Sequence, residues 1–358
     1  MGIDAQIEKV YKDMSGSIAK NRLTIQLSFA IKLIVDLYSV EDFTVFLDCI
    51  EDVAIKKVNN GVEELFLYQV KTRSRGNFTL NYIIDEKWFE KLYKHTHEFS
   101  GLNYEIALVS NVDVKDGQII FPNERSSILG DIIEKDKEEE DKKRLYRIKK
   151  CISDNENIPI EEVDLSKFYF IKTNLHCDTH KEQALKIFED FIVSIDQNAE
   201  LIKTKAFFTA LYDTLDSRFN NEINPDTTDF DEIVQKKGYT KNEFQQSLTA
   251  YLNESIPKNS ELFNLLGITS IEEQKEMVAQ RPQFLMDLTR KDEPFKFFLS
   301  EILIYVRQSN TQTLICDSVD FVNKNNKISP IYKNQGYIKF ATAFIYYKYI
   351  NGERYLSE

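Results

Sequence analysis

Phe43-Thr44-Val45-Phe46-Leu47, Val53-Ala54-Ile55 and Leu65-Phe66-Leu67-Tyr68-Gln69-Val70 are the runs that decide the fold, with Asn59-Asn60-Gly61 standing before the last of them. β-Branched and aromatic side chains of this kind suit a pleated, half-buried surface. An Asn-Gly pair supplies the two positive φ angles of a type I′ turn. The spacing therefore predicts two antiparallel strands, one running from Phe43 through Ile55 to the turn and one leading out of it through Val70.

Upstream, Leu23, Leu27, Ala30, Ile31, Ile34, Leu37 and Tyr38 recur at the three-and-four spacing of one helical face over residues 17 to 38. Downstream, Asp85 precedes a helical pattern through Trp88, Phe89, Leu92 and Tyr93, and Tyr104–Ser110 reads as a buried strand. The order helix, hairpin, helix, strand predicts an α/β domain. Residues 134 to 150 pair Glu138 with Lys142, Glu139 with Lys143 and Glu140 with Arg144 at the i,i+4 spacing of a solvated helix. A strand-like run, Lys167-Phe168-Tyr169-Phe170-Ile171, then leads to Thr179-His180-Lys181-Glu182, a capping box before a helix through Leu185, Phe188 and Ile192.

These elements fill residues 1–198. Beyond them strand signals fade, and capping boxes at Thr240–Glu243 and Thr269–Glu272 precede helical patterns, so residues 199–358 read as an all-α domain. Within it, Asp229 to Asn253 fits an αα-hairpin better than a helix-turn-helix, because Lys241 is the only base near the start of the second helix and Glu243 stands beside it. Tyr337, Phe340, Phe344, Tyr346, Tyr347 and Tyr349 mark an aromatic-rich last helix, read as core packing, with a subunit interface as the sharper alternative.

Composition bounds the function. The 358 residues are 42% hydrophobic and 29% charged with 25 Phe and 18 Tyr, enough apolar area for two packed domains. Only 11 Gly and 7 Pro are present, which disfavours glycine-rich phosphate loops. The balance of 46 basic against 58 acidic side chains gives −12, unlike a surface built throughout to hold nucleic acid. Cys49, Cys151, Cys177 and Cys316 are too dispersed for a disulfide scaffold or zinc ribbon, which fits a reducing cytosol. Lys32 and Asp36 interrupt the most apolar stretch, Phe29–Tyr38, and the first six residues carry neither a signal core nor a myristoylation pattern, so a cytoplasmic chain without a membrane anchor is expected. His176-Cys177-Asp178-Thr179-His180 raises zinc, but His95 and His97 have no Cys nearby to complete four ligands, and capping explains Thr179 and Glu182.

The hairpin register carries the chemistry. Pairing Asn59 with Val62 and continuing inward sets Asp52 opposite Gln69 and Ile50 opposite Lys71. Asp48, Asp52, Gln69 and Lys71 would then share one face, unless a bulge between Asp48 and Asn59 shifts the alternation. Carboxylate and carbonyl oxygens suit a hard cation such as Mg²⁺, which acidifies water and stabilises charge on a phosphodiester. A lysine beside that water can orient it. After Lys71, Thr72-Arg73-Ser74-Arg75 offers hydroxyls and guanidinium forks for phosphate, against the plainer reading of a solvated loop.

Phe46-Leu47-Asp48-Cys49-Ile50-Glu51-Asp52-Val53 followed by Tyr68-Gln69-Val70-Lys71-Thr72 resembles the D…(E/Q)xK signature of PD-(D/E)XK, or restriction-endonuclease-like, nucleases. The ED and QVK pattern, with Val109-Ser110-Asn111 ending the next strand, is similar to the nuclease domain of CD-NTase-associated double-stranded-DNA endonucleases of bacterial anti-phage defence, and to relatives that accompany HerA-type hexameric ATPases. The resemblance spans residues 15 to 195. It implies a restriction-endonuclease-like mixed sheet flanked by helices, a Mg²⁺- or Mn²⁺-dependent DNA endonuclease, Asp52 as principal metal ligand with Gln69 and Asp48 beside it, Lys71 as the catalytic lysine, and Thr72, Arg73 and Arg75 against DNA. It also implies a helical half that holds a homo-oligomer together or docks a HerA-type ATPase. Two departures stand out. Gln69 replaces the usual acid and lowers the charge of the site, and the first helix offers Gln26, read as structural, where relatives carry a Glu. The competing class is a noncatalytic adaptor of a defence ATPase complex.

Overall fold

The computed structural model describes residues 2–13, 23–117, 119–121, 125–128, 139–197, 199–223, 228–253, 256–290, 292–309 and 313–351. The chain divides into two compact units, Met1–Phe191 with Tyr212–Phe244, and Ile192–Leu211 with Gln245–Glu358.

Along the chain run α1 (Ile3–Asp13), α2 (Leu23–Asp36), β1 (Asp42–Leu47), β2 (Val53–Asn59), β3 (Val62–Lys71), β4 (Phe78–Thr79), α3 (Leu80–Asp85), α4 (Trp88–Glu98) and β5 (Tyr104–Ser110). Then follow β6 (Val114–Asp116), β7 (Ile119–Phe121), β8 (Arg125–Ser127), α5 (Glu139–Glu156), β9 (Phe168–Lys172), α6 (His180–Ile195) and α7 (Leu201–Asn220). The remainder is α8 (Phe230–Lys237), β10 (Gly238–Thr240), α9 (Lys241–Asn253), α10 (Asn259–Leu266), α11 (Ile271–Arg290), α12 (Glu293–Gln308), α13 (Leu314–Lys324) and α14 (Gln335–Ile350).

Seven strands form a mixed sheet in the order β10-β1-β2-β3-β5-β9-β8, with β3, β5 and β9 parallel and the other neighbours antiparallel. A second small sheet has the order β4-β6-β7. The Asn60-Gly61 turn forms as the sequence predicts: φ is 52° at Asn60 and 73° at Gly61, and Asn59 faces Val62. From there the register runs without a bulge to Val53 opposite Tyr68. Ala54, Leu65, Leu67, Ile106, Leu108, Phe168 and Phe170 point from the sheet into a core closed by Leu80, Ile83, Trp88, Phe89, Leu92, Ile148, Ile152 and Ile233. Tyr68 stands on the opposite face, edge-on to Phe29 of α2.

The structure corrects three readings. The run from Phe43 to Ile55 is two strands rather than one: β1 and β2 pair antiparallel, Leu47 opposite Val53, around a turn at residues 48 to 52. The turn is made by Asp48, whose φ of 45° is left-handed, a conformation Asp tolerates better than most residues. Second, Asp229 to Asn253 is neither an αα-hairpin nor a helix-turn-helix. Gly238-Tyr239-Thr240 between α8 and α9 pairs with Phe46, Val45 and Thr44 and adds an edge strand to the sheet, beyond residue 198. Third, Arg144 of α5 does not lie on a solvated face: it is buried and donates from Nε to Asp116 at 2.7 Å, an anion that Arg147 shares at 2.6 Å. Glu138 and the side chains of Glu139, Glu140 and Lys142 lie outside the described residues. The capping box before α9 forms, Thr240 N–H donating to Glu243 at 2.9 Å and Glu243 N–H to Thr240 Oγ1 at 3.2 Å.

Among the described residues of the second unit every secondary-structure element is a helix. Phe284 of α11 is ringed by Phe295, Tyr337, Phe340 and Phe344, with centroids 5.1 to 5.8 Å away, so the aromatic last helix packs mainly as core. One carboxylate sits among them: Asp287 accepts from Tyr337 O–H at 2.6 Å and Gln283 Nε2 at 3.0 Å, which offsets the cost of burying it.

The close approach of β10 is the most exacting packing step in the first unit. A Cβ at Gly238 would lie 2.7 Å from the Val234 carbonyl oxygen and 3.1 Å from Thr44 Cγ2. Gly238→Ala is therefore expected to cost about 1–3 kcal/mol, seen as a lower urea midpoint at unchanged m-value. An unaltered midpoint would show that this contact yields easily.

Candidate active site

The site stands where β2 leaves its ladder and β3 continues. Past Val53 the chain turns away, and the Asp52 carboxylate takes the backbone N–H of Val70 at 2.7 Å. That hydrogen bond ties the acid to β3 beside Gln69 and Lys71. These two alternate with Val70 and share a face with Leu65 and Leu67, so both point toward the α4 side of the sheet. They also lie near the carboxyl ends of the parallel strands, Gln69 opposite Leu108 and Lys71 opposite Ser110, which is where open α/β sheets place ligands.

Electrostatics single out Asp52. Burial comes first among the causes that push its carboxyl up to about 6, and the Glu51 charge comes next; Lys71 and the Val70 N–H pull it down, and Asp48 adds to the rise. Gln69 is 9% exposed, and its buried Oε1 accepts no hydrogen bond among the described residues. A buried carbonyl oxygen without a donor costs free energy unless something positive meets it. Lys71 Nζ lies 5.5 Å from the centroid of the Trp88 ring, a cation–π contact that holds the ammonium toward α4.

The divalent ion that the sequence resemblance implies finds two hard oxygen donors here. Asp52 offers a carboxylate whose ionisation burial opposes, and Gln69 an orphaned amide oxygen. Both are hard oxygen donors of the kind Mg²⁺ takes in ones and twos, water and substrate completing the shell. Among the described residues no group of three or more His, Cys, Asp or Glu forms a metal cluster.

The other predicted residues are placed as follows. Asp48 is not on a strand with Asp52; it sits across the 48–52 turn, its N–H donating to the Asp52 carbonyl at 3.2 Å and its carboxylate 4.0 Å from Lys237 Nζ. Ile50 belongs to the same turn and does not pair with Lys71. The Arg73 guanidinium packs 4.5 Å from the centroids of both Phe78 and Tyr82 and donates to the Asn77 carbonyl at 2.9 Å, which commits it to the loop. Asn111, just past β5, clamps the Arg73 backbone from both sides, accepting its N–H at 2.9 Å and donating to its carbonyl at 2.8 Å. Arg75 is exposed and Thr72 half-buried on the strip beyond Lys71. Gln26 is buried in α2, and His180 of the rejected zinc cluster meets Ser28 Oγ at 2.8 Å.

Sequence reasoning passed over the brace behind Asp52. His95 of α4 is buried and donates from Nε2 to Glu51 at 2.9 Å and from Nδ1 to Glu98 at 2.5 Å. Burial alone would lower its pKa; the hydrogen bonds and charges of the two carboxylates outweigh that and push it up to about 9. Trp88 and His95 are seven residues apart, two helical turns, so one face of α4 braces both Lys71 and Glu51. The signal in sequence was weak: a histidine on an amphipathic helix, with no local clue to a partner 44 residues earlier.

Residues 14–218 match the family described as Cap4, dsDNA endonuclease domain, and this span contains the Asp52, Gln69 and Lys71 face. The chain belongs to this family. A curated relative, the Lamassu protein LmuA of Bacillus cereus (strain VD014), is 30% identical over 242 residues, covering 66% of this chain and 64% of its own length. This Cap4 family chain thus spans somewhat under two thirds of that relative's length. Solved structures of Cap4 SAVED/CARF-domain containing receptors are more distant. That of Acinetobacter baumannii with the cyclic trinucleotide 2'3'3'-cAAA is 15% identical, covers 67% of this chain and 49% of its own, and has a TM-score of 0.36. That of Moraxella osloensis is 15% identical over 66% of this chain and 49% of its own, with a TM-score of 0.38. Likeness at this level carries neither ligand nor activity across.

The His95 brace has a pH signature. Its imidazole is charged below about 9 in the fold and below about 6.5 once unfolded, so the stabilisation is complete below the lower value and drains away as pH rises through the upper one. The unfolding free energy of the wild type is expected to fall across that window, and that of His95→Gln to start lower and fall less. Parallel urea-derived profiles for the two proteins would remove His95 from this role.

Proposed function

We propose that the chain is a metal-dependent DNA endonuclease of anti-phage defence, hydrolysing phosphodiester bonds at the Asp52, Gln69 and Lys71 face. One observation carries the reading: a half-buried carboxylate is anchored on β3 at the Val70 N–H, next to Gln69, whose buried amide oxygen has no hydrogen-bond donor among the described residues, with a lysine on the same face as Gln69. Membership in a dsDNA endonuclease family and 30% identity to a Lamassu protein support it.

In this reading Asp52 and Gln69 hold Mg²⁺ or Mn²⁺, which when bound supplies charge neutralisation at the phosphate and an acidified water. Lys71, steadied by Trp88, orients the attacking water and meets charge that develops on the phosphate. Asp52 keeps its carboxylate aimed by accepting the Val70 N–H, and it must lose its proton before it can hold a cation. Thr72 and Arg75 lie along the strand exit where a DNA backbone would run, while Arg73 shapes the loop that presents them. No described helix is long and apolar enough to cross a membrane, and we place the protein in the cytoplasm. A net charge of −12 opposes unaided capture of a polyanion, so a homo-oligomer or a partner, for which a HerA-type ATPase is our candidate, supplies much of the grip.

The neutral Gln69 favours a second reading, in which the sheet is retained and the chain serves as a noncatalytic adaptor. Plasmid cleavage separates the two. Wild type is expected to nick or cut with Mg²⁺ or Mn²⁺ and to stop with EDTA, Lys71→Ala to lose on the order of 10²-fold or more, and Asp52→Asn to be inactive yet at least as stable as wild type at pH 8 without metal. Equal cleavage by wild type and Lys71→Ala would move the site elsewhere. Silence of both, even with a partner ATPase present, would leave the adaptor.

A further inference from the structure

Lys237 ends α8, past the residues 14–218 that the family match covers. It reaches the 48–52 turn because β10 pairs with β1: Gly238 lies opposite Phe46, two residues before Asp48. Its side chain is 5% exposed, and Nζ donates to the Phe219 carbonyl at 2.8 Å and lies 4.0 Å from Asp48 Oδ2. A buried ammonium is costly unless anions and hydrogen-bond acceptors surround it. Burial lowers the pKa of Lys237, and Asp48, Cys49 and Glu222 act against that fall. Asp48 is thus the carboxylate that contacts this ammonium, held in place by its left-handed backbone and its N–H bond to the Asp52 carbonyl.

A two-metal site sets two dications about 3.5–4 Å apart and needs several carboxylates to balance them. Here the amide at Gln69 is neutral, and the second acid near Asp52 across the turn already faces a fixed cation. We infer that Lys237 is a positioning residue that neutralises Asp48, stands in for a second cation, and restricts the site to one divalent ion held by Asp52 and Gln69. The inference rests on the nuclease reading above and deepens it.

Mn²⁺ binding to the full chain, followed by calorimetry and by the loss of free Mn²⁺ signal in electron paramagnetic resonance, tests it without any cleavage step. Wild type is expected to bind one ion per chain, and Asp48→Asn to bind one ion within about twofold of the wild-type affinity. Lys237→Met, which keeps the length of the stem and removes the charge, is expected to admit a second ion, lost again in Lys237→Met with Asp48→Asn. Circular dichroism of each variant controls for folding, and the Asp48→Asn result stands even if Lys237→Met does not fold. Two ions on the wild type, or a tenfold loss of affinity in Asp48→Asn, would make Asp48 a ligand and overturn the inference while leaving a metal nuclease intact. A single ion on a folded Lys237→Met would also overturn it. Absence of Mn²⁺ binding by wild type would overturn the metal reading itself, and this inference with it.

Discussion

The register between β2 and β3 is the constraint on which the rest depends. It is set at the Asn60-Gly61 turn, where both residues occupy left-handed backbone, and it runs unbroken to Val53 opposite Tyr68. A slip of one residue would turn Gln69 and Lys71 to the face where Tyr68 meets Phe29, and would bring Tyr68 and Val70 into the core behind α4. Because Leu65 and Leu67 must be buried on the α4 side, the apolar pattern that folds the strand also aims the polar pair at its end. The ladder then stops one residue before Asp52, and the freed Val70 N–H is satisfied by a carboxylate rather than a carbonyl. The acid is positioned by the end of a sheet, which is stiffer than a loop.

What could be read from sequence follows from this locality. The hairpin, the parallel strand at Tyr104–Ser110 and the face shared by Gln69 and Lys71 all depend on short-range pattern and turn chemistry, and all are present. Alternation told nothing about the turn at 48 to 52, because Asp48 breaks the strand through a backbone conformation that carries no apolar signature. Gly238-Tyr239-Thr240 is too short to register as a strand, and its partner β1 lies nearly 200 residues earlier. Lys237 and His95 gain their meaning from contacts at long separation, with Asp48 and Glu51 respectively. Arg144 illustrates the same limit: its i,i+4 spacing suggests a solvated face, and tertiary packing against Asp116 buries it.

Charge is distributed around the site with a consistent logic. Glu51 and Glu98 share the imidazole of His95, and Asp48 faces the ammonium of Lys237. These carboxylates are answered by side chains brought from α4 and α8. Asp52 is treated differently: a backbone N–H orients it, Lys71 lies within reach of its charge, and burial still leaves its carboxyl pushed up to about 6. An acid kept reluctant to ionise, beside an amide oxygen that lacks a donor, is poorly satisfied as a piece of protein interior. Sites where a fold tolerates such cost are candidates for function, since the missing favourable term is one a ligand can supply.

The same accounting bears on the acidic character of the whole chain. A surface at −12 repels a polyanion at long range, and salt screens that repulsion beyond about 10 Å. Under the nuclease reading, a phosphodiester at this face would meet a different field: Lys71 on its Trp88 cushion, Arg75 exposed on the strip beyond it, and the acids at 48, 51 and 98 already paired. Pairing Glu51 and Asp48 offsets the two acidic charges that push the Asp52 carboxyl up. Under the nuclease reading, His95 and Lys237 would ease the approach of an anion without touching it, by offsetting charge beside the site. Local neutralisation of this kind suits the approach of one phosphate; gripping a duplex over many base pairs takes many more phosphate contacts than this face offers.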